Sequence, residues 1–385
     1  MLLNAYATGG TIRTVVNQAN AMSKDHEVEL ASVYRTRETP AFDLAPGVRL
    51  VPITDLWGNG RRRLDPPEVQ SRFMNKTRRL KNPLPHKHDF RFKRWDPMVD
   101  AAVIRYFRAE KDGVLVTTRP GLNLMSAYFA PSRLIRVGQD HMNLGSYKPP
   151  LREAILKAYP RLDLVSVLTD HDRQAYEQAF DGKDLRLETV PNGVAPWRLP
   201  PAALESKVVV AAGRMVKQKG FDLLVEAFAL VAARHPDWQL KIFGSGKGKD
   251  ALAAQIKDLG LDGTVLLAGE ARRLDQQLAA ASLYVLSSRY EGLPMVLLEA
   301  ITAGLPVVSF DCPTGPAEII ADGRNGLLIP PEDPAKLAAG ICELIEHPER
   351  RRDMGAAALE SSRRYSMSTV KEQWEKLFSE LEAAQ

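Results

Sequence analysis

The chain has 385 residues, 45% hydrophobic and 26% charged, the balance of an ordinary globular protein and not of a disordered one. That length exceeds the size at which single cores stop growing, so two domains are expected. No apolar run approaches the roughly 20 residues that span a bilayer, and "MLLNAYATGG" lacks the basic start and apolar stretch of a signal peptide. The expected location is the cytoplasm, with peripheral contact on the inner face of the plasma membrane as an option. Cys312 and Cys342 offer neither metal-ligand spacing nor a disulfide framework, which suits a reducing compartment.

The net charge of +5 is uneven. Residues 61–94 hold twelve Arg/Lys against three Asp/Glu, a local +9 that leaves −4 for the rest of the chain. One reading is a solvated loop. The other is a patch for an anionic polymer or an acidic membrane surface, with Arg61, Arg62, Arg63, Arg78 and Arg79 as the candidates for binding it. No nucleic-acid motif accompanies the charge, so nucleic acid is not an expected partner.

Along the chain, short apolar runs alternate with helix-like patterns, which predicts an α/β protein with parallel, doubly wound sheets. In the first half, 27–34, 113–118, 132–139 and 163–169 read as strands, 11–24 and 171–180 as helices. The basic stretch 61–94 is an insertion in this half. "PNGVAPWRLPPAALES" (191–206) crowds prolines and polar residues as a linker does. A second series follows, with strands at 207–213, 238–244, 264–269, 282–288, 306–311 and 326–330. Its helices are 221–235, 249–260, one beginning at Pro294, and 334–346. The tail 366–384 has helical spacing at Val370, Trp374, Leu377, Phe378 and Leu381. The expected domains are 1–198, 199–364 and a C-terminal helix, 365–385, returning to the first. Ligands in such sheets bind at the carboxyl ends of the strands.

Gly9 and Gly10 lie between a short first strand (Met1–Asn4) and the first helix, where a backbone can approach a phosphate; alone, such glycines often just permit the turn. "AAGRMVKQKGFDLL" (211–224) carries more. Arg214 and Lys219 follow a strand end and precede a helix, a placement that suits a diphosphate, with Arg as a fork and Lys as a point charge. "FGSGKGKD" (243–250) lacks the full Walker pattern and is not read as an ATP loop. In "LTDHDRQAY" (168–176), Thr169 with Asp172 reads as a helix cap, in preference to a metal site at Asp170, His171 and Asp172. His141 stands in a loop just past a strand, either a structural histidine or a functional one.

"RYEGLPMVLLEA" (289–300) sets Glu291 and Glu299 eight positions apart. Pro294 fits the first turn of a helix, with Glu291 before it and Glu299 roughly 7.5 Å along its axis. The N–H groups of Gly292, Leu293 and Met295 would favour an anion there. A diphosphate at the helix start, with a sugar on either side, explains both acids as hydroxyl acceptors.

Arg214 and Lys219 in "GRMVKQKG", the acid pair in "EGLPMVLLE", "DCPTGPAEII" (311–320) and "NGLLIPPED" (325–333) resemble the retaining, family-4 branch of GT-B glycosyltransferases. The resemblance implies two Rossmann-like domains and a nucleotide-sugar donor, commonly a UDP-sugar, with no cofactor and no obligatory metal. Arg214, Lys219 and Gly10 would hold the diphosphate, Glu299 the ribose, and Glu291 with Gly292, Leu293 and Pro294 the sugar. His141 would stabilise the transition state. Together with "NAYATGGTIRT", the pattern leans toward bacterial enzymes acting on cell-envelope polymers, including glycerol-phosphate chains, and the basic stretch fits such an acceptor. Alternatives are a lipid-linked or oligosaccharide acceptor in capsule or exopolysaccharide synthesis, a GT-B epimerase, and a non-catalytic polyanion-binding protein.

Overall fold

Parallel strands need a crossover connection and not a tight hairpin, and every strand pair among the described residues is parallel. The computed structural model describes residues 1–56, 89 and 97–384. The basic stretch, including Arg61, Arg62, Arg63, Arg78 and Arg79, lies outside the described residues except for Asp89. The chain divides into two units, Met1–Gly193 with Val370–Gln385, and Val194–Thr369.

The first unit contains α1 (Gly10–Met22), β1 (Val28–Arg35), β2 (Val48–Asp55), α2 (Pro97–Ala109), β3 (Val114–Thr118) and α3 (Pro120–Phe129). It continues with β4 (Ile135–Gln139), α4 (Pro149–Ala158), β5 (Leu164–Val167), α5 (Asp170–Ala179) and β6 (Leu187–Thr189). β1 pairs with β2, and a second sheet runs β3-β4-β5-β6. The strand expected at Met1–Asn4 is reduced to one bridge, Leu2 to Ser32. Met1 nevertheless accepts from the Thr118 hydroxyl at 2.9 Å while Leu2 donates to Ala31 at 2.9 Å, so this segment links β1 to the end of β3. The sequence pattern missed α3 because Pro120–Ala127 is buried throughout, which erases the polar stripe of a surface helix.

The second unit contains β7 (Val208–Ala212), α6 (Phe221–Arg234), β8 (Gln239–Phe243), α7 (Lys249–Asp258), β9 (Val265–Gly269), α8 (Leu274–Ala279), β10 (Leu283–Leu286) and α9 (Met295–Thr302). Then come β11 (Val307–Phe310), α10 (Pro316–Ile319), β12 (Gly326–Ile329), α11 (Pro334–Glu346) and α12 (Pro348–Ser362). The strand order is β12-β11-β10-β7-β8-β9, so succession along the chain reverses direction between β7 and β10. One core of Val, Leu, Ile and Phe side chains joins this sheet to α6, α7 and α11.

The expected linker is not free. Ala202 donates to Ala303 at 2.8 Å, Leu204 is buried, and the Arg351 guanidinium donates twice to the Leu204 carbonyl, at 3.2 and 3.1 Å. An apolar anchor and a carbonyl needing a donor outweigh the prolines here.

The last helix, α13 (Met367–Ala383), belongs from Val370 onward to the first unit. Val370, Trp374, Leu377 and Leu381 are buried, and the Phe378 ring lies tilted against Trp374 with centroids 5.4 Å apart. Arg186 reaches Glu380 at 2.5 Å, and His26 reaches Glu375 at 3.1 Å. Trp374→Ala should therefore lower stability by about 3–5 kcal/mol in denaturant unfolding, with a smaller loss for the half-buried Phe378→Ala; equal and negligible losses would contradict this packing.

Candidate functional site

A reversal of strand order opens a crevice, because the loops leaving the two strands on either side diverge to opposite faces of the sheet. In the second unit those strands are β7 and β10, and the loops after them carry Lys219 and Glu291. Lys219 ends a 3-10 turn, Lys217–Lys219. Its Nζ donates to Glu291 Oε1 at 2.5 Å, with side-chain exposures of 15% and 8%. The buried Ser288 hydroxyl donates to the same oxygen at 2.6 Å, and the Ser287 hydroxyl donates to the Lys219 carbonyl at 3.0 Å. Removing one member of such a pair strands the other charge, at a cost of about 3–5 kcal/mol. Arg214 stands exposed in the same β7 loop.

Two glycines let these loops approach backbone to backbone. Gly220 has φ +59°, and a Cβ there would lie 1.9 Å from the Ser287 carbonyl. Gly315 has φ +90°, and its Cβ would lie 1.9 Å from the Gly292 carbonyl. The backbone closes the second approach, with Glu291 N–H donating to Pro313 at 2.8 Å and Thr314 N–H to Glu291 at 3.0 Å. The "FGSGKGKD" turn has a supporting role: Met215 N–H donates to Ser245 at 2.8 Å and Gly248 N–H to Met215 at 2.9 Å, bracing the Arg214 loop.

Pro294 is not in the first helical turn as expected. It stands at the N-cap with extended backbone (φ −73°, ψ 109°), and α9 begins at Met295. The last loop carbonyl is thereby committed, with Leu297 N–H donating to Pro294 at 3.0 Å. Glu299 lies one turn inside α9 and is 5% exposed; Leu293 and Pro294 are buried and Gly292 half-buried. Burial first, then the charges of Glu291 and Glu299, raises the Tyr284 phenol above its ordinary range, so one side chain senses both acids. Burial and Glu291 also push the Cys312 thiol up to about 12, which keeps it protonated and removes it as a nucleophile.

The sequence pattern passed over three polar residues here: Ser288, Arg289 and Asp222. Arg289 forks onto Asp222 at 2.9 and 2.7 Å. Its signal was faint, an arginine two positions before Glu291 inside an apolar context. A separate group, His235, Cys342 and Glu346, has donor atoms within 4.8 Å of one another. Glu346 there accepts from Arg234 at 2.6 Å and from His235 at 2.9 Å, which makes the group an ion-paired helix junction.

Gly9, Gly10 and His141 belong to the first unit. Gly9 caps α1 and Gly10 is its first residue, both exposed. His141 follows β4, whose last residue, Gln139, donates to Gln18 of α1 at 2.9 Å. Both imidazole nitrogens are shielded from solvent. Burial drives the imidazole down to about 4, with hydrogen bonding to the Asn192 side chain acting in the opposite direction. At neutral pH His141 is therefore uncharged, with one N–H and one bare nitrogen. The neighbouring Asp140 accepts from the Tyr147, Tyr159 and Tyr176 hydroxyls. Burial raises it to about 6 despite those bonds. Thr169 makes the capping bond, accepting from Asp172 N–H at 3.0 Å.

These two shifts act oppositely on stability. Asp140 titrates above its ordinary 3.8, so its contribution is full below about pH 4 and lost as pH rises to about 6. His141 titrates below its ordinary 6.5, so its contribution is present above that pH and lost as pH falls toward about 4. Asp140→Asn should make thermal stability rise more steeply with pH across this window than in the parent chain, and His141→Gln should shift the slope the other way. Unfolding curves recorded from pH 4 to 6.5 test both, and unchanged slopes would contradict the burial of these groups.

Across 97% of its length the chain is 35% identical to an exopolysaccharide phosphotransferase of Streptomyces coelicolor, of which it spans 39%. It is 28% identical to a poly(ribitol-phosphate) alpha-N-acetylglucosaminyltransferase of Staphylococcus aureus, over 71% of this chain and 57% of that one. The chain thus spans well under two thirds of these curated relatives. The crystal structure of a mutant S. aureus TarM with Fondaparinux, alpha-GlcNAc-glycerol and UDP has a TM-score of 0.66 at 28% identity, covering 73% of this chain and 59% of that one. The fold is GT-B. Residues 200–361, which carry the strand-order reversal, Lys219, Glu291 and Glu299, match the description "Glycosyl transferases group 1".

Proposed function

We propose that the chain is a retaining glycosyltransferase that moves a hexose-type sugar from a UDP-sugar to a hydroxyl of a cell-envelope polymer. The observation that carries this is the buried Lys219–Glu291 pair at the strand-order reversal, beside the N-terminus of α9. Lys219, exposed Arg214 and the first N–H groups of α9 would meet the charge developing on the departing diphosphate, in a reading that needs no metal. Glu291 would accept hydroxyl bonds from the sugar and Glu299 from the ribose, with Gly292, Leu293 and Pro294 shaping the sugar side. In the first unit, Gly9 and Gly10 are assigned to the phosphate and neutral His141 to the transition state.

With Glu291 Oε1 held by Lys219 and Ser288 and Cys312 kept as a thiol, neither group suits a free nucleophile. Front-face attack, the leaving phosphate helping to deprotonate the acceptor, fits this better than a covalent intermediate; trapping a glycosyl-enzyme would overturn it. UDP and alpha-GlcNAc-glycerol in the TarM structure, and the poly(ribitol-phosphate) named for the S. aureus relative, support a UDP-sugar donor and a polyol-phosphate acceptor. The S. coelicolor relative favours a second reading, an exopolysaccharide acceptor. Binding of a polyanionic acceptor should fall steeply with salt, whereas a neutral glycan should respond little.

UDP should raise the unfolding temperature, by about 2.7 kcal/mol of stabilisation at a hundredfold excess over Kd. Arg214→Ala, at an exposed position, should weaken that binding about 10–100-fold. Glu291→Gln should lower sugar transfer on the order of 100-fold, and turnover should persist in EDTA. Failure of any nucleoside diphosphate or its sugar to stabilise the protein would reject the proposal.

A further inference from the structure

Arg289 is half-buried, with 15% of its side chain exposed. Nη1 and Nη2 fork onto the Asp222 carboxylate at 2.9 and 2.7 Å, Nη1 also donates to the Lys217 carbonyl at 2.7 Å, and Nε donates to Glu332 at 2.9 Å. Its backbone N–H donates to the Gln218 carbonyl at 2.8 Å, and the Gln218 side-chain amide returns a bond to the Tyr290 carbonyl at 3.0 Å. These partners bracket Lys219 on both sides in sequence, while Arg289 and Tyr290 immediately precede Glu291. Glu332 comes from the loop after β12. One guanidinium thus joins the loops leaving β7, β10 and β12.

We propose that Arg289 is a positioning residue for the donor site: it sets Lys219 and Glu291 in register, so that the diphosphate and its sugar are gripped together. A direct role on phosphate is a poorer fit, because four of the five guanidinium N–H bonds are already committed within the protein. The two carboxylates keep the guanidinium firmly protonated, Asp222 more than Glu332. Lysine carries the charge but cannot span a carboxylate, a carbonyl and a second acid at once. The inference rests on the donor site proposed above.

The test uses the full chain, with UDP binding by calorimetry and UDP release from UDP-N-acetylglucosamine and UDP-glucose. Arg289→Lys and Asp222→Asn should each raise the Kd for UDP and lower kcat/KM for the donor on the order of 10–100-fold. The double variant should be little worse than either alone, and Glu291→Gln should cost less in the Arg289→Lys background than in the parent. A purely structural role would lower the unfolding temperature and the active fraction while leaving the UDP Kd and donor KM of the folded protein unchanged; that result overturns the proposal. If the parent binds UDP and Glu291→Gln loses turnover but Arg289→Lys binds UDP like the parent, the inference alone falls. If the parent neither binds UDP nor releases it, the donor reading falls and carries this inference with it.

Discussion

The pair formed by Lys219 and Glu291 constrains everything around it, because taking two opposite charges out of water costs several kcal/mol per ion before any attraction is recovered. The second unit meets that cost with local hydrogen bonds and close backbone packing. Ser288 adds a hydroxyl to the shared oxygen, Ser287 fixes the lysine's own carbonyl, and Gly220 lets the two loops close to a distance no side chain would permit. A pair of well-packed apolar residues would hold these loops together at least as well. Charge at this place therefore makes more sense as a means of recognition than as a source of stability.

The first unit solves the opposite problem. Asp140 is buried without a cation among its hydrogen-bond donors in the described residues and is held by three phenols, which satisfy it without adding charge. Next to it, His141 is kept neutral by the same removal from water. Burial thus has contrary effects on adjacent residues, favouring the proton on the acid and disfavouring it on the base. The tyrosines also belong to the apolar cluster of this unit, so the electrostatics beside His141 and the packing of α4 and α5 are one construction.

Legibility in the sequence followed the strength of local pattern. Most strands of the second unit were readable to within a residue or two, since parallel core strands appear as short Val/Ile/Leu runs between turn residues. Glu291 and Glu299 stood out because charge is rare in such surroundings, and Lys219 because it falls between a strand end and a helix start. The buried α3 was not, having no polar face, and β2 was not, since Arg49 and Pro52 interrupt its apolar run. Arg289 and Asp222 escaped notice for a different reason. Their meaning lies in a contact across 67 positions of chain, and nothing in either local stretch announces its partner.

Because α13 completes the first unit, that unit is discontinuous, with the whole of Val194–Thr369 inserted between its parts. During synthesis from the N-terminus, all of Val194–Thr369 is made before Trp374 and Leu377, which are buried in the finished chain. Domains generally fold as units in the order they emerge. Here Met1–Gly193 emerges before the second unit but is completed only after it. That interval, rather than the finished fold, is where a chaperone would have most to do.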